Sequence, residues 1–177
     1  MTDPNPSASP PSGTTTPSGR CHRVLDTPVG QVTLVGDGQV LEGLYWPDHK
    51  PAPDRSTFGP CAPEAFAQVA TQLQEYFAGE RTEFSVPTRS GGTEFQQAVW
   101  EQLRLIPAGE TRTYGQVAAA IGRPTAVRAV GAANSRNPLS VIVPCHRVVS
   151  ASGAAHGYAG SVETKEWLLA HERRHRA

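Results

Sequence analysis

From Cys21 the chain alternates apolar and polar positions in short runs, VLDTPVGQVTLVGDGQVLEGLYW, punctuated by Pro28-Val29-Gly30 and Gly36-Asp37-Gly38. A period of two sends successive side chains to opposite faces, so these runs predict β-hairpins. Residues 47–62 (PDHKPAPDRSTFGPCA) read as a proline-rich loop. The period then changes. Phe66, Val69, Ala70, Leu73, Tyr76 and Phe77 recur at helical steps, the apolar stripe of an amphipathic helix ended by Gly79. A short strand is expected near Glu83–Val86, followed by a break at Gly91-Gly92.

Beyond that break, Thr93-Glu94-Phe95-Gln96 has the spacing of a capping box, and Phe95, Val99 and Leu103 share one helical face. Pro107-Ala108-Gly109 stops this helix. Thr113-Tyr114-Gly115-Gln116 is a second box, opening a helix to Ile121 with Tyr114, Val117, Ala118 and Ile121 inward. Gly122-Arg123-Pro124 turns the chain into a third helix, with Thr125 as expected N-cap and Ala126, Ala129, Ala132 and Ala133 keeping it slim. Helix, glycine-containing turn and arginine-bearing helix match a helix-turn-helix, a pattern that any two short helices across a turn can satisfy.

The organisation expected is a tail over residues 1–20, an N-terminal α/β domain over 21–90 (small antiparallel sheet plus helix), and a mostly α C-terminal domain over 91–177. The last contains the helix-turn-helix and a short strand carrying a cysteine. The first 20 residues hold five prolines and four serines and lack the apolar side chains to offset ordering, so they read as disordered. No apolar run exceeds five residues, Val117 to Ile121, and the N-terminus lacks a basic and apolar leader, which predicts neither a membrane span nor a secretory signal. Three cysteines without a CxxC pair argue against a disulfide framework and point to a reducing, cytoplasmic setting. A zinc site built from Cys21, His22, His49 or Cys61 is a weak alternative because the spacing is irregular.

Net charge is zero, yet it is distributed front to back. Residues 1–90 hold 6 basic and 10 acidic side chains, residues 91–177 hold 10 and 6, so the halves carry −4 and +4. Between Thr111 and Gly160 stand Arg112, Arg123, Arg128, Arg136 and Arg147 without one Asp or Glu. Such a stretch attracts polyanions, although a solvated arginine face is the plainer reading of charge alone.

Asn137-Pro138 marks a turn, after which Leu139, Val141, Ile142 and Val143 predict a buried strand that delivers Cys145 at its end. A free thiol with a pKa of ~8.5 needs ~2.7 kcal/mol of differential stabilisation to be mostly ionised at neutral pH. His146 and Arg147 are its neighbours in sequence. The residues alone leave open whether Cys145 is a packing thiol or a nucleophile, and whether Glu172 is simply solvated.

The segment IVPCHRVV (142–149), with NP (137–138) before it, SGAAHGYAG (152–160) after it and KEWLLAHE (165–172) at the end, resembles the active domain of the O6-alkylguanine-DNA alkyltransferase (methylated-DNA–protein-cysteine methyltransferase) family. The likeness spans about Thr93 to Glu172, and residues 21–90 resemble the family's smaller domain more loosely. It implies direct, stoichiometric and irreversible transfer of an alkyl group from guanine O6 in double-stranded DNA to Cys145. His146 would act as general base through a water and Glu172 would orient it. Asn137 would tie the reactive turn. Tyr114 would press on the phosphate backbone and help protonate the leaving guanine, and Arg128 would fill the place of a base rotated out of the duplex. The helix surface bearing Thr125, Ala126, Ala129 and Arg136 would approach the minor groove, where sequence readout is poor. Val148, Tyr158, Ala159 and Gly160 would line the guanine pocket. Position 159 is Ala where some relatives carry a hydroxyl, and position 140 is Ser where some carry proline, which bears on the pocket wall. With no resolving cysteine nearby and no cofactor motif, one turnover per molecule, no cofactor and no metal are expected. The expected state is a monomer, with cooperative assembly on DNA, O4-alkylthymine as a second substrate and the preferred alkyl group left open.

Overall fold

The computed structural model describes residues 19–176, so the expected disorder of the tail lies almost wholly outside the described residues. Strands β1 (Cys21–Thr27), β2 (Gly30–Gly36) and β3 (Leu41–Tyr45) form one antiparallel sheet in sequential order. The β1–β2 register runs from Cys21 opposite Gly36 to Thr27 opposite Gly30, and the β2–β3 register shifts between Val35 and Gly36. The second turn is stabilised locally, because the Asp37 carboxylate accepts the N–H groups of Gln39 and Val40. Helix α1 (Ala67–Ala78) buries Val69, Leu73 and Tyr76. It ends at Gly79 in the left-handed conformation, φ 80°, with the Glu80 N–H returning to the Glu75 carbonyl.

The stretch Glu83–Val86 is extended without being a strand. Gln72 on α1 takes both backbone groups of Ser85, its Oε1 accepting the N–H and its Nε2 donating to the carbonyl, where a strand partner would otherwise stand. The bridge to the sheet falls later, at Leu41 and Thr88.

Helices α2 (Glu94–Arg104) and α3 (Tyr114–Ala120) begin with the two expected capping boxes: Thr93 with Gln96 and Thr113 with Gln116 exchange reciprocal bonds. Helix α4 (Val127–Ser135) differs at its start. Its N-cap is Ala126, and Thr125 sits inside the turn closed by the Ala126 N–H on the Arg123 carbonyl, so its hydroxyl caps nothing. Two short strands, β4 (Arg112–Thr113) and β5 (Val148–Val149), pair in parallel, and α5 (Val162–Arg174) closes the described chain. No helix of the described residues is long and apolar enough to cross a membrane.

A single cluster of buried apolar side chains extends from Leu34 and Trp46 through Val99, Leu103 and Val117 to Cys145 and Leu168. The sheet also reaches the second half of the chain through its backbone. The Leu44 N–H donates to the Pro138 carbonyl at 2.8 Å, and Leu44 bridges Leu139, so β3 braces the segment that leads to Cys145.

Candidate active site

The apolar run ahead of Cys145 is not a strand. Asn137 folds it back: its Oδ1 accepts the Leu139 N–H at 3.0 Å and its Nδ2 donates to the Val143 carbonyl at 2.8 Å. The Ile142 and Val143 N–H groups close turns onto Ser140 and Leu139, and Val141 is held at φ 71°, strained for a β-branched residue. Proline at 138 and 144 withholds two N–H donors that a ladder would need. Cys145, His146 and Arg147 form a 3-10 turn at the end of this loop, so the cysteine leads into strand β5. Its side chain is wholly buried.

Behind the cysteine lies a polar network centred on Glu172, which is 3% exposed. Oε1 accepts from His146 Nε2 at 2.8 Å, from the Tyr76 hydroxyl at 2.8 Å and from one Arg147 nitrogen at 2.8 Å. Oε2 accepts from Arg147 Nε at 2.9 Å and from the Gly109 N–H at 3.1 Å. Burial works to raise the Glu172 pKa, but His146 and Arg147 outweigh it and hold the carboxyl well below its usual range. Glu172 is therefore a buried charge. It faces His146, Arg147 and Tyr76 with acceptors only, which fixes the imidazole tautomer: Nε2 carries the proton and Nδ1 offers a lone pair. Nδ1 is buried and has no partner among the described residues. Burial lowers the His146 pKa, with Glu172 opposing, so the ring is neutral at pH 7 and available as a base.

Arg147 belongs to this network and not to the polyanion-facing surface. It is 6% exposed, forks onto Glu172 and donates to the Ile106 carbonyl. The stabilisation that an ionised Cys145 needs is not supplied in the resting site. Burial pushes the Cys145 thiol up, and the opposing influences of Asn137, the Lys165 charge and Ser140 do not overcome it. At neutral pH the substrate-free site holds a thiol beside a neutral imidazole.

Lys165 was not among the residues singled out from the sequence. It is fully buried on α5, and its ammonium bonds to the Val148 carbonyl and, at 2.7 Å, to the His156 carbonyl. Burial brings its pKa down to about 8, with Cys145 opposing. The Tyr114 hydroxyl donates to the same His156 carbonyl at 2.8 Å, and burial followed by Cys145 pushes its pKa up to about 12. The spacing Lys165, Leu168, Leu169, Glu172 places all four on one face of α5, the signal that would have found the lysine.

Of the expected pocket residues, Ser140 and Tyr158 lie near enough to Cys145 to interact with it electrostatically. Val148, Ala159 and Ser140 are fully buried and Tyr158 is 9% exposed. Ser140 Oγ has no hydrogen-bond partner among the described residues. The N-terminal part of the chain supplies the support: Trp46 Nε1 donates to the Tyr158 hydroxyl at 2.9 Å, and the Lys50 N–H donates to the Ala159 carbonyl at 2.7 Å. Gly160 lies against the indole, where a Cβ would come within 2.8 Å of Trp46. Asn134 on α4, also unforeseen, donates to the Cys145 carbonyl at 3.3 Å.

Helices α3 and α4 pack together and present Thr125, Arg128, Ala129 and Arg136 to solvent, with Ala126 half-buried. Arg123 is exposed and lies over the Phe95 ring. Of the cysteines outside the site, Cys21 is buried and Cys61 exposed, and no group of three or more His, Cys, Asp or Glu among the described residues could hold a metal.

Fold and site together define a helix-turn-helix protein with a buried cysteine next in sequence to a hydrogen-bonded His146–Glu172 pair. The 6-O-methylguanine DNA methyltransferase family matches the chain in two parts, its ribonuclease-like domain over residues 21–90 and its DNA binding domain over 94–174. A methylated-DNA–protein-cysteine methyltransferase of Mycolicibacterium paratuberculosis is 49% identical over 154 residues, covering 87% of this chain and 93% of the relative. One from Methanosarcina acetivorans is 44% identical, covering 84% and 95%. The crystal structure of Mycobacterium tuberculosis O6-methylguanine methyltransferase superposes with a TM-score of 0.83 at 46% identity, covering 90% of this chain and 96% of that one. The same organism's protein in complex with DNA gives 0.82 at 47% identity, covering 87% and 93%. The chain belongs to the 6-O-methylguanine DNA methyltransferase family.

Proposed function

We propose that this protein repairs DNA by taking the alkyl group of O6-alkylguanine onto Cys145, once per molecule. The observation that carries the reading is the orphaned His146 Nδ1, held with its lone pair available by the Nε2 bond to Glu172 one residue from a buried thiol. His146 takes the thiol proton, directly or through one water, as sulfur attacks the alkyl carbon. The S–C bond forms as the C–O6 bond breaks, the electron pair leaves with the guanine, the guanine gains one proton from the Tyr114 phenol, and the proton taken up by His146 restores the phenol. The sum is a thioether and an unmodified guanine. Tyr114, whose phenol stays protonated to high pH, is the donor toward the leaving base.

A base stacked in a duplex cannot reach a fully buried sulfur, so the lesion rotates out of the helix at a cost of a few kcal/mol. Arg128, exposed on α4, fills the gap, while Thr125, Ala126, Ala129 and Arg136 meet the minor groove. Asn137 holds the reactive loop, and Val148, Tyr158, Ala159, Gly160 and Ser140 enclose the base. Residues 21–90 serve as a supporting domain to the alkyl-transfer domain at 91–177. A thioether is a poor leaving group, which makes the reaction stoichiometric.

Mass spectrometry after incubation with an O6-methylguanine duplex tests this. The expected result is a gain of about 14 Da on the peptide containing Cys145 and none in Cys145→Ser, which still binds the duplex. An unchanged mass in excess lesion DNA refutes the proposal. The same assay with O4-alkylthymine decides whether a second base is accepted.

A further inference from the structure

Helix α1 belongs to the N-terminal part of the chain, yet it touches the relay behind Cys145. Tyr76, near its C-terminal end, is 1% exposed and holds α5 at two consecutive residues. Its hydroxyl donates to Glu172 Oε1 at 2.8 Å, and its backbone carbonyl accepts from His171 Nε2 at 2.7 Å. Edge contacts of the Tyr76 ring with His171 at 5.4 Å and with Phe77 at 5.2 Å fix its orientation. The oxygen that receives the phenol is the one that receives the His146 proton donor.

We propose that Tyr76 is a positioning residue of the alkyl-transfer site: its hydroxyl shares Glu172 Oε1 with His146 and thereby limits how strongly the carboxylate draws a proton onto the imidazole. A carboxylate oxygen that accepts several hydrogen bonds has less charge to offer each donor, and here the phenol competes directly with Nε2. The remaining groups around Glu172 do not depend on Tyr76. Arg147 contributes two bonds and the Gly109 N–H a third. The other charged or titratable groups facing the pair are Lys165, whose ammonium disfavours a charged His146, and His171, whose Nε2 is occupied by the Tyr76 carbonyl. Without the phenol, Glu172 stays in place and binds the His146 proton more tightly. A base supported this way accepts the thiol proton at lower pH.

The inference rests on Cys145 and His146 acting as proposed above, and its test needs no DNA. Tyr76→Phe keeps the ring and removes only the oxygen. The variant and the unaltered protein are alkylated with iodoacetamide across pH 5 to 9, and modification is followed on the Cys145 peptide alone, because Cys61 is exposed. The expected result is a reactivity profile displaced toward acid by roughly half to one pH unit, a three- to tenfold faster reaction at pH 6 and an unchanged plateau at high pH. Superimposable profiles overturn the inference, as does a uniform fall at every pH, which marks Tyr76 as packing alone. Failure of the wider reading shows separately, as wild-type protein that gains no mass from lesion DNA.

Discussion

Replacing Glu172 by Gln removes one charge while keeping the side-chain shape, and the network around it sets the cost. The carboxylate accepts five hydrogen bonds, three on Oε1 and two on Oε2. A carboxamide offers one acceptor oxygen and one donor nitrogen. In its better orientation the oxygen keeps the Oε1 partners, and the new NH2 group meets Arg147 Nε and the Gly109 N–H, both donors. Arg147, 6% exposed, is left as a buried cation without a counter-charge. Breaking such a pair from one side costs on the order of 3–5 kcal/mol. At roughly 2–4 °C per kcal/mol for a chain of this size, Tm at pH 7 should fall by about 10 °C. Scanning calorimetry measures it. Removing Arg147 as well, as Arg147→Met with Glu172→Gln, should recover part of the loss because no charge remains unpaired. The effect has a pH signature. The folded pKa of Glu172 lies well below the ordinary 4.5, so its stabilisation is complete above that value and disappears as pH falls toward the folded one. Stabilities of the wild type and Glu172→Gln should therefore converge on acidification. A Tm change below about 2 °C at pH 7, or a gap that stays constant down to acid denaturation, refutes the reasoning.

Asn137→Ala strands the Leu139 N–H and the Val143 carbonyl inside the protein, so urea unfolding should show a loss of about 2–3 kcal/mol, accompanied by slower alkyl transfer. Trp46→Phe keeps the ring over Gly160 but drops the donor to Tyr158; a loss of about 1 kcal/mol is expected, and no change in Tm would show that bond to be idle. With Arg147 withdrawn from the surface and Arg128 assigned to the base stack, Arg112, Arg123 and Arg136 remain to meet phosphates. Log K for duplex DNA should then fall against log salt with a slope near −2.7, and Arg136→Ala should reduce it by roughly 0.9. A flat titration contradicts the assignment.

Local signals were legible wherever the chain satisfies its own backbone. Both capping boxes, the Gly79 stop and the hairpin turns follow from side chains within four residues of the groups they bond, and each forms as the spacing implies. The misreadings share a cause. Leu139 to Val143 carries the composition of a buried strand, but Asn137 offers the backbone a closer partner than any strand and coils the run into turns. Glu83–Val86 fails as a strand for the same reason, with Gln72 as the competitor. Charge counting could not separate Arg147 from the exposed arginines, because its partner lies 25 residues away. Tyr76 and Trp46 read as core residues, which they are; their polar atoms gain meaning only from partners 96 and 112 residues distant.

Those distant partners bear on how the site opens. Cys145 is wholly buried, and the segment after β5 is fastened at the His156 carbonyl by Lys165 and by the Tyr114 hydroxyl. Tyr114 is also the first residue of α3, the leading helix of the helix-turn-helix. A phenol cannot donate one proton both to His156 and to an incoming base, so in the proposed reaction Tyr114 gives up its bond to the His156 carbonyl before it meets the lesion. In the proposed exchange one carbonyl acceptor is replaced by one on the guanine, while the His156 carbonyl keeps its bond from Lys165. That arrangement fits a thiol left protonated at rest: in the proposed reaction sulfur, imidazole and phenol change partners together.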